Sequence, residues 1–166
     1  MSYKSVLNRL YQKDEVELKA EQVNLNMLND LKNLGAKLDA LYTQAVDLNA
    51  EMEASQEAVI FGDLSLGKLI AENREEEKDR RKQLQSTYKK HQSIASSSEK
   101  VMNQGYDVWE KLDVLLADFE DAYKAVGLDP RQNKDFMRPN SMMNEFGGEL
   151  DDLRKKLSRD VEPDNL

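Results

Sequence analysis

The chain has 166 residues and a formal charge of −8; 39% of its residues are hydrophobic and 34% are charged. A net negative surface works against unaided binding to nucleic acid or anionic lipid. With no cysteine in the sequence, there can be no disulfide, thiolate metal site or cysteine nucleophile. Sparse apolar residues with only 3 Pro and 7 Gly suit long helices that each bury a narrow stripe.

From the N-terminus, Met1-Ser2-Tyr3-Lys4-Ser5-Val6 lacks the apolar core of a secretory leader. No apolar run approaches the ~18 residues of a membrane span. The expectation is a cytoplasmic protein, or a virion component if the source is viral. A first helix is predicted over about residues 3–60. Its core frame runs through Tyr3, Val6, Leu10 and Ala20, then Met27, Leu31, Leu34, Leu38, Leu41, Ala45, Leu48, Met52 and Val59. From Met27 the steps alternate three and four, with Ser55 filling one slot, which is a coiled-coil seam. Lys13 and Glu17 interrupt the early part, and Asp14 could cap a fresh helix, so a break near residue 13 is allowed for.

Phe61-Gly62-Asp63 reads as the turn of a hairpin, with Gly62 ending one helix and Asp63 or Ser65 capping the next. The tip, Phe61-Gly62-Asp63-Leu64, loosely resembles that of small helical export chaperones of flagellar systems; a helix–Gly–Asp–helix turn is generic and identifies no family. The second helix, about 64–126, carries a strictly alternating seam: Leu84, Tyr88, His91, Ala95, Ser98, Met102, Gly105, Trp109, Leu112, Leu116, Phe119, Tyr123 and Val126. The frame crosses Ser96–Ser98 without a slip, which favours an unbroken helix. Gly127 and Asp129-Pro130 stop it.

Folding about Gly62 pairs positions that sum to roughly 124. Residues 1–127 then form an antiparallel coiled-coil hairpin in which Leu34 lies near Lys90 and Leu10 near Leu112. In that register Leu41, Ala45, Leu48 and Met52 face the charged run 72–83, a local conflict of the kind that marks function. Either long Arg and Lys stems cover the stripe, or another chain or the C-terminal segment does. Residues 128–140 read as a linker, 141–160 as a short amphipathic helix and 161–166 as a frayed tail. The fold class is therefore all-α: a long antiparallel coiled-coil helical hairpin with a short C-terminal helix.

The sequence offers little chemistry. Gly62-Asp63-Leu64-Ser65-Leu66-Gly67-Lys68 lacks the first glycine of a phosphate-binding loop. His91, the only histidine, falls on a seam position, where a polar residue setting register is the natural reading. Glu72, Glu75, Glu76 and Asp79 share a face without the Glu-x-x-His partners of a di-metal site. Arg80, Arg81, Lys82, Lys89 and Lys90 are diluted by neighbouring acids, so nucleic-acid contact is not expected.

No catalytic residue, cofactor, metal or small-molecule substrate is expected. The candidate partner-binding residues are Leu41, Leu48 and Met52, with Met143, Phe146, Leu150, Leu153 and Leu157 on the C-terminal helix, a face that either docks a partner or folds back on the hairpin. Two functions follow. One is a non-enzymatic structural protein, a strut or spacer that forms a homo-oligomer or joins a larger assembly; small site-free helical proteins recur in such assemblies, virions among them. The other is an ATP-independent chaperone or adaptor that clamps an amphipathic partner helix.

Overall fold

A computed structural model describes residues 3–69 and 74–166, with side chains from Leu25 onward. The elements are α1 (Tyr3–Leu69, 67 residues), α2 (Arg74–Ala125, 52 residues), a 3-10 turn (Pro130–Gln132) and α3 (Lys134–Leu157, 24 residues). No strand occurs among the described residues. The fold is an all-α helical hairpin with an additional C-terminal helix.

The seam on α1 is deeper than its composition suggests. Leu31, Leu38, Ala45, Met52, Val59 and Leu66, each seven residues from the last, are all 0% exposed. A strict seven-residue repeat keeps one row facing a neighbour along the helix. The chain passes residue 13 inside α1 without a break. Likewise α2 runs through Ser96–Ser98 unbroken, with Ser98 fully buried and its hydroxyl donating to the Ile94 carbonyl at 2.8 Å. That local bond satisfies a polar group a seam would otherwise leave unpaired.

The chain divides into two compact units, to both of which each helix contributes. In the unit of residues 1–37 and 110–143, the core holds Leu31, Leu112, Leu116, Phe119, Phe136 and Met143. The Phe119 ring lies 4.3 Å from Tyr123 and 5.5 Å from Phe136. α2 ends as its sequence implies. Gly127 takes φ 76, Leu128 N–H donates to the Tyr123 carbonyl at 2.9 Å, and Gly127 N–H donates to Lys124 at 3.1 Å. These are the paired bonds of a Schellman cap.

The predicted linker is largely structured. Asp129 caps the 3-10 turn by accepting from Arg131 N–H at 3.0 Å, and Asn133 starts α3 by accepting from Asp135 N–H at 2.9 Å. α3 thus begins at Lys134, seven residues before the expected start at 141. Pro139 lies within it, buried, with its ring near Gly35 of α1. Burial of the ring compensates for the helix hydrogen bond that a proline cannot make.

In the unit of residues 38–109 and 144–166, two contacts fix the hairpin register. Ser55 meets His91, and Gly62 meets Leu84: seven residues forward on α1 correspond to seven back on α2. This corrects the expected turn at 61–63. Gly62 stays helical because its missing side chain admits Leu84, to which an added Cβ would approach within 3.1 Å. α1 continues to Leu69, and α2, antiparallel to it, begins at Arg74. In this register Leu34 does not lie beside Lys90, and Leu41 and Leu48 stand opposite Gly105 and Ser98. The expected approach of Leu10 to Leu112 concerns a side chain outside those described.

α3 runs parallel to α1 and antiparallel to α2. Asn49 pairs with Glu149 and Gln56 with Lys156 on the α1 side. On the α2 side, Leu150 packs where Gly105 lacks a Cβ and the Trp109 indole lies over Gly147. Two glycines therefore mark the close approach of α2 and α3.

Candidate protein-interaction site

The register changes the meaning of the apolar stripe near the middle of α1. Met52 is fully buried and Leu41 is 9% exposed; Leu48 is half-buried. Within the same unit, the bonds of Asn49 to Glu149 and of Gln56 to Lys156 set the second candidate face, from Phe146 onward, against this stripe. Phe146, Leu150 and Leu153 are fully buried, Met143 nearly so, and Leu157 half-buried. The stripe and the α3 face thus form a core of the chain's own, which removes the conflict with the run 72–83. Where that run is described, from Arg74, it is mostly exposed and makes pairs such as Arg81 to Glu77 at 2.9 Å.

Polar side chains set which residues meet. The α1 positions flanking the buried row toward α3 repeat every seven residues as Tyr42, Asn49, Gln56 and Asp63. Asn49 Nδ2 donates to the Glu149 carboxylate at 2.6 Å and to its carbonyl at 3.0 Å, while Lys156 Nζ donates to Asn49 Oδ1 at 3.1 Å. Gln56 Nε2 donates to the Lys156 carbonyl at 2.7 Å. Asp63 accepts from the backbone amides of Asp164 and Asn165 at 3.1 and 3.0 Å, and Asn165 Nδ2 donates to the Asp63 carbonyl. Pro163 is buried beside this clasp. The segment expected to fray is therefore tied down. Burial acts to raise the Asp63 pKa, but the hydrogen bonds from Asn165 and Asp164 outweigh it and hold the carboxyl below its ordinary range. On α2, Tyr106 donates to Asp151 at 2.6 Å; burial, then that bond, push its pKa up to about 12.

Among the described residues, Ser55 and His91 form a side-chain pair whose chemistry invites a catalytic reading, with Ser55 Oγ 2.7 Å from His91 Nδ1. A nucleophile–base pair has this spacing. Acyl transfer also needs backbone or side-chain donors aimed at a developing oxyanion. Both residues lie mid-helix, where the surrounding amides are spent on carbonyls one turn back. The Ser55 hydroxyl also donates to Met52 O at 3.1 Å. The arrangement is satisfied with His91 Nδ1–H donating to Ser55, as a neutral polar layer within the seam. Among the described residues no cluster of three or more His, Cys, Asp or Glu could hold a metal ion. No helix there is long and apolar enough to cross a membrane.

What remains on the surface is an apolar group around the place where the sequence reading set the hairpin turn. Ile60, Phe61 and Leu64 are 51%, 72% and 62% exposed on consecutive turns of α1. Beside Phe61 runs an open groove of about 440 Å³ between α1 and α2, lined by Glu51, Ala54, Ser55, Ala58, Thr87, Lys90 and Ile94. The signal in the sequence was that Ile60, Phe61 and Leu64 lie off the three-four frame that Val59 and Leu66 continue. Apolar residues off the frame belong on an outer face if the helix does not stop. No known protein family, characterised protein or solved structure matches the chain.

Proposed function

We propose that the chain is a non-enzymatic assembly protein, a helical strut or spacer that joins a larger protein complex such as a virion. The observation that carries this reading is the Ile60–Phe61–Leu64 group. An aromatic and two aliphatic side chains stand in water on a helix whose core positions are already filled. Contiguous exposed apolar surface on a folded protein marks a contact for another macromolecule, and a large aromatic is the usual anchor of such contacts. The clamp alternative loses its footing, since the stripe it would use is occupied by α3.

The test is a photo-reactive side chain placed at Phe61 in the cells that make the protein, with Ser97, also exposed, as control. Assembly predicts discrete protein adducts at position 61 that are absent at position 97. If illumination yields no adduct specific to position 61, the reading is lost.

A further inference from the structure

The face of α1 turned away from α3 carries a second three-four pattern: Glu51, Ala54, Ala58, Phe61, Ser65 and Lys68. At about 100° per residue, these positions lie roughly opposite Asn49, Gln56 and Asp63, which bind α3. All are exposed except Ser65, which is half-exposed. The pattern is complementary to its own reversal. Laid antiparallel on a copy of itself, Glu51 meets Lys68, Ala54 meets Ser65, and Ala58 meets Phe61.

We propose that this face binds a second copy of the chain, forming a two-fold dimer in which each α1 lies antiparallel to the other. A two-fold interface requires one patch to match itself. This one does so in size and in charge. Phe61, the most exposed large hydrophobic residue described, enters the partner's groove beside Ala54 and Ala58, where small side chains leave room for a ring. The acidic end of each stripe meets the basic end of the other. A parallel partner would set Glu51 against Glu51, and a shift by a heptad would part Glu51 from Lys68, so the charges favour this pairing. The inference deepens the assembly reading and rests on it, naming the surface and the partner.

The test is the mass of the full chain by light scattering and sedimentation over a range of concentrations. The wild type forms a dimer, and Phe61→Ser weakens it by about tenfold or more, as loss of a central aromatic does, without lowering the melting temperature of the monomer. Glu51→Lys and Lys68→Glu each weaken it by roughly threefold or more, and the double variant recovers the wild-type affinity. A monomeric wild type up to high concentration overturns the proposal, as does a dimer indifferent to Phe61→Ser and to both charge reversals. The crosslink at position 61 separates this outcome from failure of the assembly reading. Adducts with another protein alone would remove the second copy and leave assembly standing, whereas no adduct would remove both.

Discussion

At the scale of single residues, this fold is specified by polar groups placed where a seam tolerates few of them. A buried imidazole against a buried hydroxyl costs desolvation that only correct pairing recovers, so slipping α2 by a heptad along α1 would leave His91 and Ser55 without each other. The same burial makes His91 a pH-dependent element, since its pKa is held below the ordinary 6.5 by burial. With the folded value below the unfolded one, the neutral ring's contribution is complete above pH 6.5 and is lost as pH falls below it. Asp63 also has a lowered folded pKa, so its contribution is lost on acidification too, but only below its ordinary 3.8. On acidification the His91 window opens first. The melting temperature should fall as pH drops below 6.5, and His91→Gln should remove that part of the fall. Parallel wild-type and variant curves over this interval would show that His91 does not titrate in a buried site.

At the scale of the helices, the seams were legible and their alignment was not. The alternation from Met27 to Val59 and from Leu84 to Tyr123 places the fully buried row of each helix, because burial along a helix follows its period whatever the partner. Val101 and Val108, however, are buried off the α2 frame, while Met102 and Trp109 on it are half-buried. Register is a different quantity. Moving one helix by whole heptads keeps every core row facing the other, so apolar pattern alone gave the hairpin tip no unique position. Gly62-Asp63 supplied an attractive but mistaken one. Gly62 matches Leu84 in size, and Asp63 holds the 164–165 backbone; both serve partners about 20 and 100 residues away and leave no local trace. The start of α3 left a trace that Pro139 obscured, since Phe136 and Pro139 extend the three-four frame of Met143, Phe146 and Leu150.

Glycines inside the helices test this account. Gly105→Ala should destabilise by about 1–3 kcal/mol through overlap with Leu150, outweighing the roughly 1 kcal/mol of helix propensity that alanine brings. Gly148 has nothing within 4 Å of an added Cβ, so Gly148→Ala should stabilise by up to about 1 kcal/mol. Thermal melts of the two variants should move in opposite directions; a shift of the same sign in both would mean that α3 does not pack on Gly105.

For the whole molecule, the question is whether the hairpin stands alone with α3 as an appendage, or whether α3 contributes to the core of each unit. The sequence reading made the hairpin primary and left open whether α3 folds back on it or docks a partner. The burial of Phe136, Met143, Phe146, Leu150 and Leu153 argues for the second arrangement. At about 1.5–3 kcal/mol for each large apolar side chain withdrawn from water, the five contribute roughly 10 kcal/mol. That is the size of the entire net stability of an ordinary domain. Removal of α3 would also uncover the α1 row through Leu38, Ala45 and Met52, and leave Asn49 and Gln56 without their partners. A chain ending at Asn133 should therefore show no cooperative melt as a monomer; it should be loosely folded, or associate through the uncovered row. Adding a peptide of residues 134–166 should restore a single cooperative transition, monitored by circular dichroism. The restored complex should contain one peptide per chain by mass, since the Asn49, Gln56 and Asp63 contacts define one parallel register. A truncated chain that melts cooperatively as a monomer near the parent temperature would show that the hairpin is self-sufficient, and that α3 is held only at its surface.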